Sequence, residues 1–422
     1  MTRHLTPTAG QLAWQRAGFG MFCHFGINTY FGKEWSDGTL PPSGFDPTDL
    51  DARQWVATAA AAGMKYVVLT AKHHDGFCLW QTDTTAYSVR SAPWRSGRGD
   101  VVEELATACA DAGLGLGLYL SPWDRNAACY SDPAAYDDFY VRQLTELCTR
   151  YGPLFEVWFD GAGSEGRVYG WERIMAVVEE HQPGAMIFNM GRPTIRWVGN
   201  EDGLAADPCA YVVDQAEGDV GSAQWAGGRY LPPECDVPIR RHWFWQPDDL
   251  HTLKSLEHLL AIYYRSVGLG AGLLLNVPPD RRGRLDDHDR PRLLELAAEL
   301  ERRFGSGVDA DLQVTADGQV GARLGAATTF DHLVLEEELA DGQRVTGHEI
   351  VVGGQVIARG GTIGVRRFHA FPEVTADRVE VRLTGDGAGL GAVTAHRTGS
   401  PRCPALEEQP AAMAEKVDAK AP

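Results

Sequence analysis

The chain has 422 residues, 44% of them hydrophobic, and a formal net charge of −18. That length exceeds one ordinary domain and suits a barrel with a smaller companion. The negative balance, with no compensating basic run, argues against nucleic acid or an anionic membrane as partner. The eight cysteines are scattered without a CxxC pair, which indicates mostly buried thiols in a reducing compartment.

Taken in chain order, the first residues lack the apolar segment of a secretory signal, and no apolar run is long enough to span a bilayer. A soluble, cytoplasmic protein is therefore expected. An apolar strand at 20–26 is interrupted by His24. Residues 46–62 read as a helix, with Asp46-Pro47 as its cap and first turn. Strand 65–71, helix 100–113, strand 115–121, helix 133–151, strand 154–160, helix 170–182 and strand 185–189 follow. Alternation at this spacing predicts a parallel sheet with right-handed crossovers, and polar clusters at several strand ends favour a (β/α) barrel over an open sheet.

Residues 203–247, rich in Gly, Pro and Trp, read as a long irregular substrate loop. Helix 249–267, the apolar run 270–277 and helix 287–304 would complete and close the barrel. After Gly305-Ser306-Gly307 the texture changes to short β-favouring runs with glycine-containing turns, which predicts a small β-sandwich. The expected organisation is thus a catalytic barrel over 1–304, a β-sandwich over 308–400 and a disordered tail over 401–422, since the end is rich in Ala, Glu, Lys and Pro. Apolar helix faces do not separate core from subunit contact, so no oligomeric state follows.

The segment 155–161 (FEVWFDG) carries the most chemistry. An apolar strand ends in Asp160 and is followed by flexible residues, Gly161-Ala162-Gly163. An acid at the C-terminal end of a parallel strand lies where barrels place their reactive groups, although an Asp there can also simply turn the chain or cap a helix. Other clusters sit at strand ends: His24, the run Lys72-His73-His74-Asp75-Gly76-Phe77, Pro122-Trp123-Asp124 and Arg196-Trp197 leading to Asn200-Glu201. Aromatic rings beside carboxylates, imidazoles and amides describe a sugar pocket, in which C–H faces stack on rings and hydroxyls need fixed donors and acceptors.

At these residues the chain resembles the retaining α-L-fucosidases of glycoside hydrolase family 29. The resemblance rests on the early His24-Phe25-Gly26, on Glu34-Trp35, on the 72–77 run and on Trp158-Phe159-Asp160-Gly161, in that order over roughly residues 15–280. Trp197-Val198-Gly199-Asn200-Glu201 is similar to the subgroup preferring α-1,3/1,4-linked fucose on branched glycans. The resemblance implies a double displacement on a fucosylated oligosaccharide, with Asp160 as nucleophile and no metal or organic cofactor.

Retention requires a second carboxyl that first donates and later accepts a proton. Glu201 is the first candidate, and its alternative is a plain surface turn; Glu234, stiffened by Pro232-Pro233, is the second. Desolvation beside Trp197 or Trp225 would raise such a donor's pKa. His24, His73 and His74 are candidates for sugar hydroxyls, and neighbouring His73 and His74 reach one ligand only if the segment bends. Glu34 and Trp35 would add an acceptor and a ring wall. Trp158 would share Asp160's side of the strand by its period of two. The resemblance aligns Tyr119 with a sugar-contacting tyrosine. Arg196 would pair with a carboxylate, reach a hydroxyl or make a structural ion pair. Trp243, Phe244 and Trp245 would form an apolar wall for the C6 methyl of a deoxy sugar, or pack a core. Two further readings stay open: a silent glycan-binding protein on the same scaffold, and a metal-dependent hydrolase using His73, His74 and Asp75.

Overall fold

A computed structural model describes residues 5–215, 224–314 and 319–407. Eight strands form one sheet, in which Phe19–Cys23, Tyr66–Lys72, Gly115–Leu120, Glu156–Trp158 and Met186–Phe188 follow one another in space as in sequence. On the other side of Phe19–Cys23 lie Gly272–Asn276, Pro233–Pro238 and Arg196–Trp197, and every pairing in the sheet is parallel. A parallel bridge between Phe188 and Ile195 joins the two ends, so the sheet is a nearly closed barrel.

Strand periodicity sorts the core into two shells. Phe22, Tyr66, Val68, Tyr119, Trp158, Phe188 and Leu274 fill the barrel interior. Their sequence neighbours Met21, Cys23, Val67, Leu69, Val157 and Leu275 face the helices. Helix Ala9–Ala17, held by a capping box between Thr8 and Gln11, plugs the N-terminal end of the barrel with Trp14. Gly272 is required there, because a Cβ would lie 2.7 Å from the Trp14 ring.

The helices expected at 100–113, 133–151, 170–182 and 287–304 are present as Val101–Ala112, Pro133–Arg150, Trp171–His181 and Asp289–Phe304. The expected helix 46–62 begins only at Ala52, because Asp51, not Asp46, caps it by accepting from Gln54 N. The helix at 249–267 is broken into a 3₁₀ turn, Leu250–Thr252, and Leu256–Arg265, which Ser255 caps. The larger correction concerns 203–247. This segment holds strands Val212–Gln215 and Gln224–Tyr230, which pair with each other, and the buried barrel strand Pro233–Pro238. Prolines at both ends of that strand hid it, since proline ordinarily marks a loop or a sheet edge.

The second domain is hydrogen-bonded as one antiparallel sheet of seven strands. Its two longest strands, Val320–Glu337 and Arg367–Thr384, shift register twice along their pairing, and Leu333, Leu335, Ile350, Val379 and Val381 form its core. It docks through Tyr264, Phe304, Val334 and Phe368, and Tyr264 Oη bonds His332 Nε2 at 3.0 Å. The tail residues 408–422 lie outside the described residues. No helix among the described residues is long and apolar enough to cross a membrane. The cysteines carry no disulfide, and six of the eight are buried.

Candidate active site

A pocket opens at the C-terminal ends of the barrel strands. Its walls include His24, Glu34, Trp35, His73, His74, Trp158, Asp160, Glu201, Trp243 and Phe244. Ten of the fourteen residues offered above for catalysis or sugar contact therefore converge, from segments spread over 220 positions of the chain. No described residue of the second domain lines this pocket.

Asp160 follows the strand Glu156–Trp158 and is held by three groups. Tyr119 Oη–H donates to its Oδ2 at 3.0 Å, Ala162 N–H donates to its Oδ1 at 2.9 Å, and His74 Nε2 stands 3.5 Å from Oδ2. Burial pushes this carboxyl's pKa up, but His74, Ala162 N–H and Tyr119 outweigh burial, and the net shift is downward. Asp160 is thus kept as a carboxylate with a fixed direction. Gly163 is part of that fixture: its φ is +78°, and a Cβ would lie 2.0 Å from Trp123.

The histidine pair owes its geometry to Asp75 and Gly76. Asp75 Oδ1 accepts from Phe77 N at 2.7 Å and Oδ2 accepts from Asn28 Nδ2 at 3.0 Å, which bends the chain. Gly76 has φ +87°, and a Cβ would lie 2.3 Å from Asp124 Oδ1. The rings of His73 and His74 consequently sit 4.1 Å apart and both reach the pocket. Beneath them Lys72, fully buried, donates to Asp124 and Gln143 at 2.9 Å each and ties two strand ends together. With Asp75 committed to the turn and His74 to Ser121 and Asp160, the metal reading loses its ligands. No group of three His, Cys, Asp or Glu among the described residues is disposed to hold a metal ion.

His24 has its tautomer set by Asn276. Asn276 Nδ2 donates to Trp243 O at 2.8 Å, so its Oδ1 is the acceptor facing His24 Nδ1 at 3.0 Å. His24 therefore carries its proton on Nδ1 and offers Nε2 as an acceptor. Burial lowers its pKa to about 3, which keeps the ring neutral. Glu34 accepts from the backbone N–H of Trp243 at 2.9 Å and of Phe244 at 3.3 Å, and so fixes the aromatic wall. Burial raises its pKa to about 7 against those bonds. Trp158 stacks on Phe188 at 3.8 Å between ring centroids and lies 5.4 Å from Tyr119.

Four expected residues do not line the pocket; one of them, Trp245, donates from Nε1 to Asp286 Oδ2 at 2.8 Å. Tyr119 is fully buried and serves Asp160 from behind. Arg196 donates to the carbonyls of Trp197 and Ala210, because alternation along its strand sends Trp197, not Arg196, to the pocket side. Glu234 is also fully buried; its Oε1 accepts from Trp158 Nε1 and its Oε2 from Tyr66 Oη, both at 2.9 Å. Burial raises its pKa to about 7, and it pairs with the buried Glu156, but it supports Trp158 from below and is set apart from the pocket. Glu201, in contrast, is an exposed residue at the pocket wall. The side chain of Trp225 lies outside the described residues. Sequence reasoning missed Asn189, Met190 and Asp236, all in the lining. Asn189 was accessible by the logic that singled out Asp160, since it directly follows the strand Met186–Phe188.

A family model described as alpha-L-fucosidase matches residues 41–303. Alpha-L-fucosidase 1 of Arabidopsis thaliana is 44% identical over 311 residues, which are 71% of this chain and 61% of the plant protein. A relative from Oryza sativa subsp. japonica is 38% identical over 90% of this chain and 82% of its own length. A crystal structure from Bacteroides ovatus superposes with a TM-score of 0.89 at 38% identity, covering 97% of this chain and 77% of that one. A Ruminococcus gnavus family 29 fucosidase in complex with fucose gives a TM-score of 0.81 at 27% identity, covering 93% and 95%.

Proposed function

The chain belongs to the α-L-fucosidase family of glycoside hydrolases, and from that premise we propose that it releases L-fucose from fucosylated glycans by double displacement. The observation that carries this reading is Asp160, ionised and aimed by Tyr119, His74 and Ala162 N–H in a pocket that also holds a second carboxyl, Glu201. Asp160 Oδ attacks the anomeric carbon while Glu201 gives its proton to the departing oxygen, and a β-fucosyl ester forms. Glu201 then takes a proton from water as the water oxygen attacks the same carbon, and fucose leaves with its α configuration retained.

The other residues divide the sugar between them. Neutral His24 accepts from one hydroxyl through Nε2, His73 reaches another, His74 lines the pocket beside them while it holds Asp160, and Glu34 and Trp35 offer an acceptor and a ring. Phe244 and Trp243 form an apolar wall suited to the methyl group at C6. We assign the preference to α-1,3/1,4-linked fucose on branched glycans, on the strength of the run Trp197-Val198-Gly199-Asn200-Glu201. A time course of free L-fucose from a Lewis-type branched trisaccharide beside an aryl α-L-fucoside tests both levels. Release from the trisaccharide with little from the aryl substrate is expected. Release from the aryl substrate alone refutes the linkage preference, and silence on both refutes the activity.

A further inference from the structure

The aromatic wall of the pocket is fastened from behind by a buried guanidinium. Arg240 stands two residues beyond the strand Pro233–Pro238 and is fully buried. Its Nε donates to Asp289 Oδ1 and its Nη1 to Asp249 Oδ1, both at 2.7 Å, while Nη2 lies 3.0 Å from Asp286 Oδ1. A buried cation needs such partners to offset its lost hydration. With a carboxylate in each of three directions the planar fork has one orientation, and the compact ammonium of a lysine could not fill it. The partners come from separate parts of the chain. Asp249 immediately precedes the 3₁₀ turn Leu250–Thr252, Asp289 begins the helix Asp289–Phe304, and Asp286 lies on the connection before that helix.

Asp286 passes this order on to the pocket. Its Oδ1 faces Arg240, and its Oδ2 accepts from Trp245 Nε1 at 2.8 Å. Trp245 directly follows Trp243 and Phe244, whose backbone N–H groups donate to Glu34 on the pocket side. The chain leading into the wall is held as well. Lys254 Nζ donates to Pro238 O at 2.6 Å and to Arg240 O at 2.9 Å, and Ile239 N donates to Asn276 O at 2.9 Å. The rings placed in this way stand against the pocket imidazoles, Trp243 at 4.9 Å from His24 and Phe244 at 5.0 Å from His73 between ring centroids. Phe244 is buried, so close packing leaves its ring little freedom to adjust alone, and a shift of the loop carries the ring with it.

We propose that Arg240 is a positioning residue for substrate specificity: through Asp286 and Trp245 it sets how closely Trp243 and Phe244 approach the substituent on C5 of the bound sugar. The proposal rests on the reading of this wall as the contact for the C6 methyl. None of the four charged groups around Arg240 lines the pocket, so their influence on the sugar passes through the aromatic rings. A wall held firmly in place touches the methyl and leaves no space for a hydroxyl with its water. A wall that recedes loses both the contact and the exclusion, because dispersion falls off steeply once a gap opens.

The test measures kcat and KM on an aryl α-L-fucoside and on the matching aryl α-L-galactoside, which differs only by a hydroxyl at C6. Wild type, Phe244→Ala, Trp245→Phe and Arg240→Lys are compared, with the thermal midpoint as control for the fold. An apolar pocket separates two such substrates by about 10²-fold or less in kcat/KM. Phe244→Ala removes part of the wall itself and shows how much of that ratio the wall supplies. Trp245→Phe keeps a ring and the whole ion cluster but deletes the bond to Asp286. Its ratio should fall about threefold and that of Arg240→Lys about tenfold, with the loss on the fucoside carried by KM more than by kcat. An unchanged ratio in either variant, while Phe244→Ala lowers it, overturns the proposal and leaves Arg240 a scaffold residue that acts on stability alone. If Arg240→Lys does not fold, Trp245→Phe decides on the same criterion. Failure of the underlying reading looks different: Phe244→Ala then keeps the wild-type ratio, or the wild type cleaves neither substrate, and the proposal falls with it.

Discussion

The two sides of the pocket are built by different means. The nucleophile wall grows from a strand: Asp160 comes two residues after Trp158 and receives bonds from a neighbouring strand and from its own turn. The wall that carries Glu201 grows from connections: Glu201 stands four residues beyond a strand of only two residues, and Trp197 on that strand bonds Asp236 of the next strand in space. A rigid frame suits a group that must meet one carbon at one angle. A proton donor serves leaving groups of varied shape, and a loop tolerates that variety.

This contrast is open to attack by substitution. Asp160→Asn removes the attacking oxygen and should lower kcat on the order of 10⁴-fold on every fucoside, natural or activated; steady-state rates check this, and a substrate-dependent loss would place the nucleophile elsewhere. Glu201→Ala should cost about 10²- to 10⁴-fold on natural glycans. Azide should restore part of the rate on an activated aryl fucoside, since that substrate needs little protonation. Normal activity of this variant on natural substrates would remove Glu201 from the mechanism.

Smaller effects sharpen the comparison. Tyr119→Phe deletes one donor to Asp160 and should lower kcat/KM about tenfold, the worth of one hydrogen bond to a charged group. Because that bond helps hold the Asp160 pKa down, the acid limb of the pH profile should move to higher pH, and an unmoved limb would show that Tyr119 does not govern ionisation. Glu234→Gln should act on stability, by about 1–3 kcal/mol, through the donors of Trp158 and Tyr66. Its kcat/KM on the activated substrate should stay within about tenfold of wild type, with no acceleration by azide. Azide rescue of Glu234→Ala would reverse the roles given to Glu201 and Glu234.

Legibility in the sequence follows the same division. The barrel strands carrying His24, His73 and Asp160 are apolar runs ending in polar clusters, and both their existence and the ends that meet at the pocket are readable from the pattern. The strand Pro233–Pro238 is not, because prolines at both ends and acids at 234 and 236 contradict strand propensity; only burial against strands on both sides explains it. That misreading had a consequence. With the segment taken as a loop, Glu234 looked like an accessible acid, whereas the strand turns it into the barrel below the pocket and brings Asp236 to the surface of the cavity. Tyr119 shows a second limit. The resemblance singles out the residue, but only coordinates separate contact with a sugar from contact with Asp160, the carboxylate proposed to attack it.

The central claim is that Asp160 forms a bond to the sugar, and the most direct measurement is trapping that bond. Incubation with 2-deoxy-2-fluoro-L-fucosyl fluoride lets a carboxylate displace fluoride from C1, while the fluorine at C2 slows hydrolysis of the resulting ester. Peptide mass mapping should then show one added 2-fluorofucosyl group, located on Asp160 and absent from Asp160→Asn. A label on another carboxyl, or turnover of the reagent with no labelled protein at any time, would contradict the account.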